Sequence, residues 1–249
     1  METKTTTTRK WAVEQSASTR RALILAAIPL MADGGIDGVS LRSINVAAGA
    51  ANASAAHYHF GSKLGLIEAI VDSLSQDVAA IRGPLLERLR KKPATGRRAV
   101  REIIDAAFLP FMGLIFHADY GLPAIRFLSR LIVDTGPEIR VVVNRFTEPL
   151  AGEVYDLLSD ALPAIPDRVL KMRILFSLTN LINGMSDMAA MERSPFGDLS
   201  TPGSLEGADH FLDYIAAGIS SPVVSTLDEC FSATAQGVIA AYQDRSQGE

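Results

Sequence analysis

The residues that could do chemistry cluster between Ser40 and Lys63, in the stretch SLRSINVAAGAANASAAHYHFGSK. Ser40, Arg42, Asn52, Ser54, Tyr58, His59 and Lys63 all fall within it. The spacing predicts two short helices joined by a glycine turn. Ser40 caps the first, which carries Leu41, Ile44 and Ala48 on one apolar face. Gly49 breaks it. Asn52 is the expected cap of the second helix, Ala53 to His59. Such a pair is a helix-turn-helix, whose second helix lies in a DNA major groove with its first residues against base edges. Asn52 could then bond an adenine edge, and Ser54 could donate to a base or accept from one. Ala53, Ala55 and Ala56 can only touch thymine methyls or pack inward, so base reading should be sparse, with Arg42 supplying part of it. The helix starts at Ser40 and Ser62 offer backbone N–H groups to phosphates. Phe60 and His57 are expected in the small core behind this surface.

Other chemistries find no support. His57 and His59, two apart on a helix, point in different directions, and no nearby carboxylate or cysteine completes a metal set. No phosphate-binding glycine loop, serine-nucleophile elbow or zinc-protease motif occurs. No nucleophile is paired with a base, so neither an enzyme nor a cofactor is expected. The rivals to a ligand-responsive DNA-binding protein are a constitutive one of the same fold and a helical enzyme acting on a lipid-like substrate.

The elements that must position this surface are all helical. Alanine and leucine are abundant, aromatics make up only 6%, and no strand alternation appears. Residues 1–17 read as a flexible arm, in which Arg9 and Lys10 are more naturally solvated than bound. Arg20 and Arg21 could reach phosphates. Residues 18–63 form the expected DNA-binding unit, with a first helix from Ser18 to Ala32 that Pro29 should loosen. Residues 64–249 form a helical body. Its first helix starts at the Ser62 cap, and further helices are expected over Arg97–Ala118, Pro123–Asp134, Pro137–Ala161, Asp167–Met191, Ala208–Ile219 and Val223–Tyr242. Ser194 to Glu206, rich in Gly, Pro and Ser, reads as a loop.

Charge follows the same division. Residues 1–63 carry seven Lys/Arg against four Asp/Glu, while the whole chain has a net charge of −4. A basic end on an acidic body suits a protein that presents one end to a polyanion. The single cysteine, Cys230, excludes an internal disulfide framework and fits a reducing cytoplasm. The run Ala22 to Ala32 is too short to span a bilayer, so no membrane association is expected.

Residues Thr19 to Ile70 resemble the TetR family of bacterial transcriptional regulators. The resemblance rests on Ala26-Ala27, Gly35, Ser40-Leu41-Arg42, Ile44, Ala48-Gly49, Asn52 and, above all, His57-Tyr58-His59-Phe60-Gly61-Ser62-Lys63. Phe116 to Gly121 and Arg126-Phe127-Leu128 look similar to a subgroup that includes fatty-acid-responsive members. The resemblance implies an all-α homodimer with an N-terminal three-helix DNA-binding domain. Its helical C-terminal domain would bind an effector and dimerise through the last two long helices, here Asp167–Met191 and Ala208–Ile219. It implies an operator duplex as partner, phosphate contacts from Tyr58, His59 and Lys63, and repression relieved by a small molecule. The turn Gly49-Ala50-Ala51-Asn52 is one residue longer than the family pattern, which predicts a wider turn or a later start to the recognition helix.

For the effector site, apolar helical spacing points to Phe108, Phe111, Met112, Phe116, Phe127, Met172 and Phe176 as walls. Arg126, Arg130, Asn180 and Asn183 interrupt apolar helices and could be polar handles. Such a lining suits a hydrophobic or amphipathic effector, acyl or aromatic, whose carboxylate an arginine could hold.

Overall fold

A computed structural model describes residues 3–91, 96–117, 119–133, 136–187, 189–200, 206–223 and 236–237. Among the described residues the chain is all-helical, with no strand beyond an isolated bridge between Ser194 and Gly197. The helices are α1 (Thr3–Gly34), α2 (Leu41–Ala47), α3 (Ala55–Phe60), α4 (Lys63–Lys91), α5 (Gly96–Ile115), α6 (Leu122–Val133), α7 (Pro137–Ala161), α8 (Asp167–Ser186), α9 (Ala189–Glu192) and α10 (Glu206–Ser220). None is long and apolar enough to cross a membrane.

Local chemistry sets the boundaries. The Ser40 hydroxyl accepts from the Ser43 N–H at 3.1 Å and starts α2, while the Ser43 hydroxyl accepts from the Ser40 N–H at 3.2 Å. At the other end the Ala50 N–H reaches the Asn45 carbonyl at 3.0 Å, and the Gly49 N–H reaches that of Val46 at 3.1 Å. This pair of bonds closes the helix through a residue at positive φ, and Gly49, at φ +62°, fills that position without strain. Ser62 starts α4 by accepting from the Gly65 N–H at 3.0 Å.

Gly65 is required for its lack of a side chain. A Cβ there would lie 2.2 Å from the Phe60 carbonyl oxygen, a backbone atom with no freedom to yield. Gly65→Ala is expected to cost about 1–3 kcal/mol. A melting curve indistinguishable from wild type would show that the α3–α4 joint gives way instead.

Three boundaries depart from the sequence reading. The expected Arg97–Ala118 helix ends at Ile115. Residues 1–17, expected as a flexible arm, are helical from Thr3 onward as the first half of α1. Nothing between Thr3 and Ile28 is Gly or Pro, so the helix has no internal stop. The expected Asp167–Met191 helix ends at Ser186, where Asp187 leaves helical geometry at φ −122°, ψ 60°. The expected Val223–Tyr242 helix and the loop at 201–205 lie largely outside the described residues.

One continuous core runs from Leu23 of α1 through Ile70 of α4 and Phe127 of α6 to Ile219 of α10. α6 packs against both α1 and α8, and α4 against both α5 and α7. Polar clasps reinforce the seams. The Arg21 guanidinium pairs with Asp119, Arg130 Nε donates to the Ala32 carbonyl at 3.3 Å, and the Tyr120 hydroxyl meets that of Ser73 at 2.9 Å. Arg101 of α5 gathers Asp105, Asp209 and Asp213 and so fixes α10. Burial alone would lower its pKa, but the bonds to Asp105 and Asp209 raise it overall.

Candidate nucleic-acid interface and body cavity

α2 and α3 pack together at one end of the molecule, with α1 behind them. Asn45, inside α2, sets their geometry. Its side chain is only 4% exposed, its Nδ2 donates to the Ala53 carbonyl, and its Oδ1 accepts from the Ala56 N–H at 2.8 Å. One buried amide thus holds both sides of the entry into α3. Asparagine is disfavoured inside a helix because it competes for backbone groups, and here it does so across the turn. That mid-helix position was the available signal, and the apolar periodicity of α2 conceals it.

The expected cap of the second helix shifts. Asn52 does not cap α3. Its Oδ1 accepts from the Ser54 N–H at 2.9 Å in a local turn, and Ser54 stands at the cap position without a side-chain cap bond. The longer turn after Gly49 therefore results in a later helix start, at Ala55. Ala55 and Ala56 face the core, while Ala53 and Ser54 are exposed.

On the outer surface stand Ser40, Arg42 and Val46 of the α2 segment, with Asn52, Ser54, His57 and Tyr58 beside them. Tyr58 is 81% exposed, far more than packing would allow. His57, expected in the core, is exposed too. His59 is half-buried and meets Tyr58 edge-on at 5.2 Å. Lys63 is half-buried and its Nζ donates to the Asp37 carbonyl at 3.1 Å, leaving donors to spare. The Arg20 guanidinium lies 5.2 Å from the centre of the Phe60 ring, and Arg21 is turned to Asp119 of the body. The surface is polar, carries cations and donors, and contains no assembled nucleophile. Among the described residues no group of His, Cys, Asp or Glu could hold a metal ion.

The expected effector residues do not come together. Phe108 and Phe127 are sealed in the core, and Met112 packs against it. Phe116 is 74% exposed beyond the end of α5. Met172, Phe176 and Asn180 lie on the outer face of α8. The Arg126 guanidinium donates to the Ser186 carbonyl at 3.3 Å and that of Arg130 to Ala32, so both are occupied near helix ends. Asn183 accepts from the Ser129 hydroxyl at 2.7 Å. Helical spacing shows that these residues share faces but not which face meets which.

Of that set Phe111 lines one cavity. This space of about 300 Å³ lies between α4, α5 and α7 and is partly open to solvent. Val71, Ala79, Phe111, Phe146, Pro149 and Leu150 line it with carbon, and Asp72, Ser75, Gln76, Arg82 and Arg145 add polar groups. The Phe111 and Phe146 rings meet edge-to-face at 6.2 Å. Arg82 Nε pairs with Glu153 at 3.2 Å. Arg145 reaches from α7 to two carboxylates of α4, Glu68 at 3.5 Å and Asp72 at 3.4 Å. Those cross-helix charges join residues far apart in the chain, so no local pattern announces them.

Two family models match this chain. One, described as bacterial regulatory proteins, tetR family, covers residues 23–70. The other, tetracyclin repressor-like, C-terminal domain, covers residues 105–218. Solved structures share the fold. They include the transcriptional regulator FadR from Bacillus subtilis in complex with stearoyl-CoA, at 14% identity and TM-score 0.56 over 82% of this chain and 99% of that one. NalD, the secondary repressor of the MexAB-OprM multidrug efflux pump in Pseudomonas aeruginosa, is 23% identical with TM-score 0.54 over 82% and 97%. PfmR from Thermus thermophilus is 18% identical with TM-score 0.51 over 79% and 97%. At these identities the likeness concerns the fold alone. No curated protein matches the sequence significantly.

Proposed function

The chain belongs to the TetR family of bacterial transcriptional regulators, and from that premise we propose a homodimeric repressor released from its operator by a small amphipathic molecule. The observation that carries the DNA-binding half is the exposed set Arg42, Asn52, Ser54, His57 and Tyr58 around a recognition helix pinned from behind by Asn45. Residues 18–63 act as the reading head and residues 64–249 as the effector-binding and dimerising body. Ser54, at the helix start, and Arg42 meet base edges. Ser40, Tyr58, His59 and Lys63 hold phosphates.

The dimer face is the outer side of α8 and α10. Met172, Leu175 and Phe176 are exposed along α8, and Tyr214 is exposed on the adjoining α10. That apolar stripe suits self-association about a two-fold axis. The effector site is the α4–α5–α7 cavity. α4 both lines the cavity and starts just after α3 ends, past Gly61 and Ser62, so a ligand that shifts α4 shifts the head. In a dimer such a shift alters the spacing of the two recognition helices and favours the free protein.

A gel shift with the duplex upstream of the protein's own coding sequence tests this reading. Binding should be sequence-selective and should weaken steeply with salt. Tyr58→Phe removes one phosphate bond and should weaken all duplexes alike, by roughly fivefold, with the order of sequence preference kept. Binding that ignores sequence, or resists salt, would sink the proposal.

A further inference from the structure

We propose that the α4–α5–α7 cavity takes an amphipathic monocation, a protonated lipophilic amine whose ammonium sits against Asp72 and whose tail lies on Phe111, Phe146 and Leu150. The inference rests on the reading of this cavity as the effector site and replaces the carboxylate that arginines elsewhere in the chain suggest.

Charge balance at the mouth carries the argument. Arg82 and Glu153 neutralise each other at 3.2 Å. Arg145 is shared between Glu68 and Asp72, at 3.5 and 3.4 Å, distances longer than a close ionic hydrogen bond. Two guanidiniums therefore face three carboxylates, and one negative charge is in surplus. Of the α4 pair, Asp72 is the one that lines the cavity. An entering cation neutralises the surplus. An entering carboxylate would instead add a third negative charge to the one guanidinium that Glu68 and Asp72 already share.

The cavity wall adds a further feature. Phe146 is half-buried there, and the face of an aromatic ring attracts a cation, while Phe111 is almost wholly buried.

The test is calorimetric titration of the full chain at neutral pH with decylammonium chloride and with sodium decanoate, each below its micellar concentration. The two probes share one tail and differ in the sign of charge. Decylammonium should bind roughly tenfold more tightly or better. Asp72→Asn should weaken decylammonium by roughly tenfold and leave decanoate no weaker. Ala79→Phe, which fills the cavity, should abolish decylammonium binding. The comparison on the wild-type chain decides the sign of charge even if a variant folds poorly. Decanoate binding as tightly as decylammonium overturns the inference. So does decylammonium binding that survives both substitutions, and so does failure of both probes to bind. If decanoate alone binds and releases DNA, the effector reading stands and the charge assignment falls. The gel shift judges DNA binding independently.

Discussion

Asn45→Ala is expected to abolish selective DNA binding while the helical body stays folded. The substitution leaves the Ala53 carbonyl and the Ala56 N–H without the partner they now share. A buried polar group left unsatisfied costs about 1–3 kcal/mol. The loss falls on α3, a six-residue helix that has no side-chain cap bond and cannot stand alone. A local penalty of about 2 kcal/mol accelerates amide exchange in Ala55–Phe60 by roughly 30-fold. Exchange in α5 to α8 should stay as in wild type. Asn45→Asp separates the two bonds. Its carboxylate can still accept from the Ala56 N–H but meets the Ala53 carbonyl with a second oxygen. Only the protonated acid can donate there, so burial and this contact raise the folded-state pKa. The sign follows: the variant is most stable below the unfolded carboxyl pKa and loses stability as pH rises through the raised folded value. Hydrogen exchange across pH reads this directly. Exchange in α3 that is indifferent to Asn45→Ala would remove Asn45 from its positioning role.

The second large effect is expected at Phe176, which is 60% exposed on α8 between Met172 and Asn180. In a two-fold interface a substitution enters twice. Phe176→Arg would place two guanidiniums in the proposed apolar seam with no carboxylate assigned to them. Burying such unpaired charge costs about 3–5 kcal/mol, so dimer affinity should fall by roughly a hundredfold to several thousandfold. Light scattering at micromolar concentration should give the mass of one chain. Operator affinity should fall with it, because two heads joined in one molecule gain a factor of about 10²–10⁴ over a single head. The body should remain folded, since Phe176 lies outside the buried core. A Phe176→Arg protein that keeps twice the monomer mass would place the interface on another face.

The parts of this molecule legible in the sequence are those governed by near neighbours. The Ser40 and Ser62 caps, the stop at Gly49 and Pro137 in the first turn of α7 each follow from a few adjacent residues. So do the ends of α6 and α7, within a residue or two. The start of α3 is less legible because Asn52 and Ser54 are both good caps two positions apart. Asn45, buried between α2 and α3, settles which one stands at the helix start. The cavity between α4, α5 and α7 is least legible. Phe127 and Phe176 sit at equivalent helical spacing in the sequence, yet one is sealed in the core and the other is exposed. Arg126 and Arg130 resemble ligand handles until their backbone partners, contributed by α8 and α1, are visible. Arg145 acquires meaning only from Glu68 and Asp72, which lie more than two helices away along the chain.

α4 begins at Lys63 and runs without a break to Lys91, while α1 is gripped by α6 through Ala32 and Arg130. No loose tether therefore separates the head from the body. In the proposed dimer, the two heads paired about a two-fold axis would behave as the jaws of a calliper. Such a dimer would measure a length as well as read letters, and a site with the right bases at the wrong separation would be the wrong site. A tethered head could search both half-sites independently; this one would accept them only together, and the proposed ligand, by opening the jaws through a small angle, would defeat both at once.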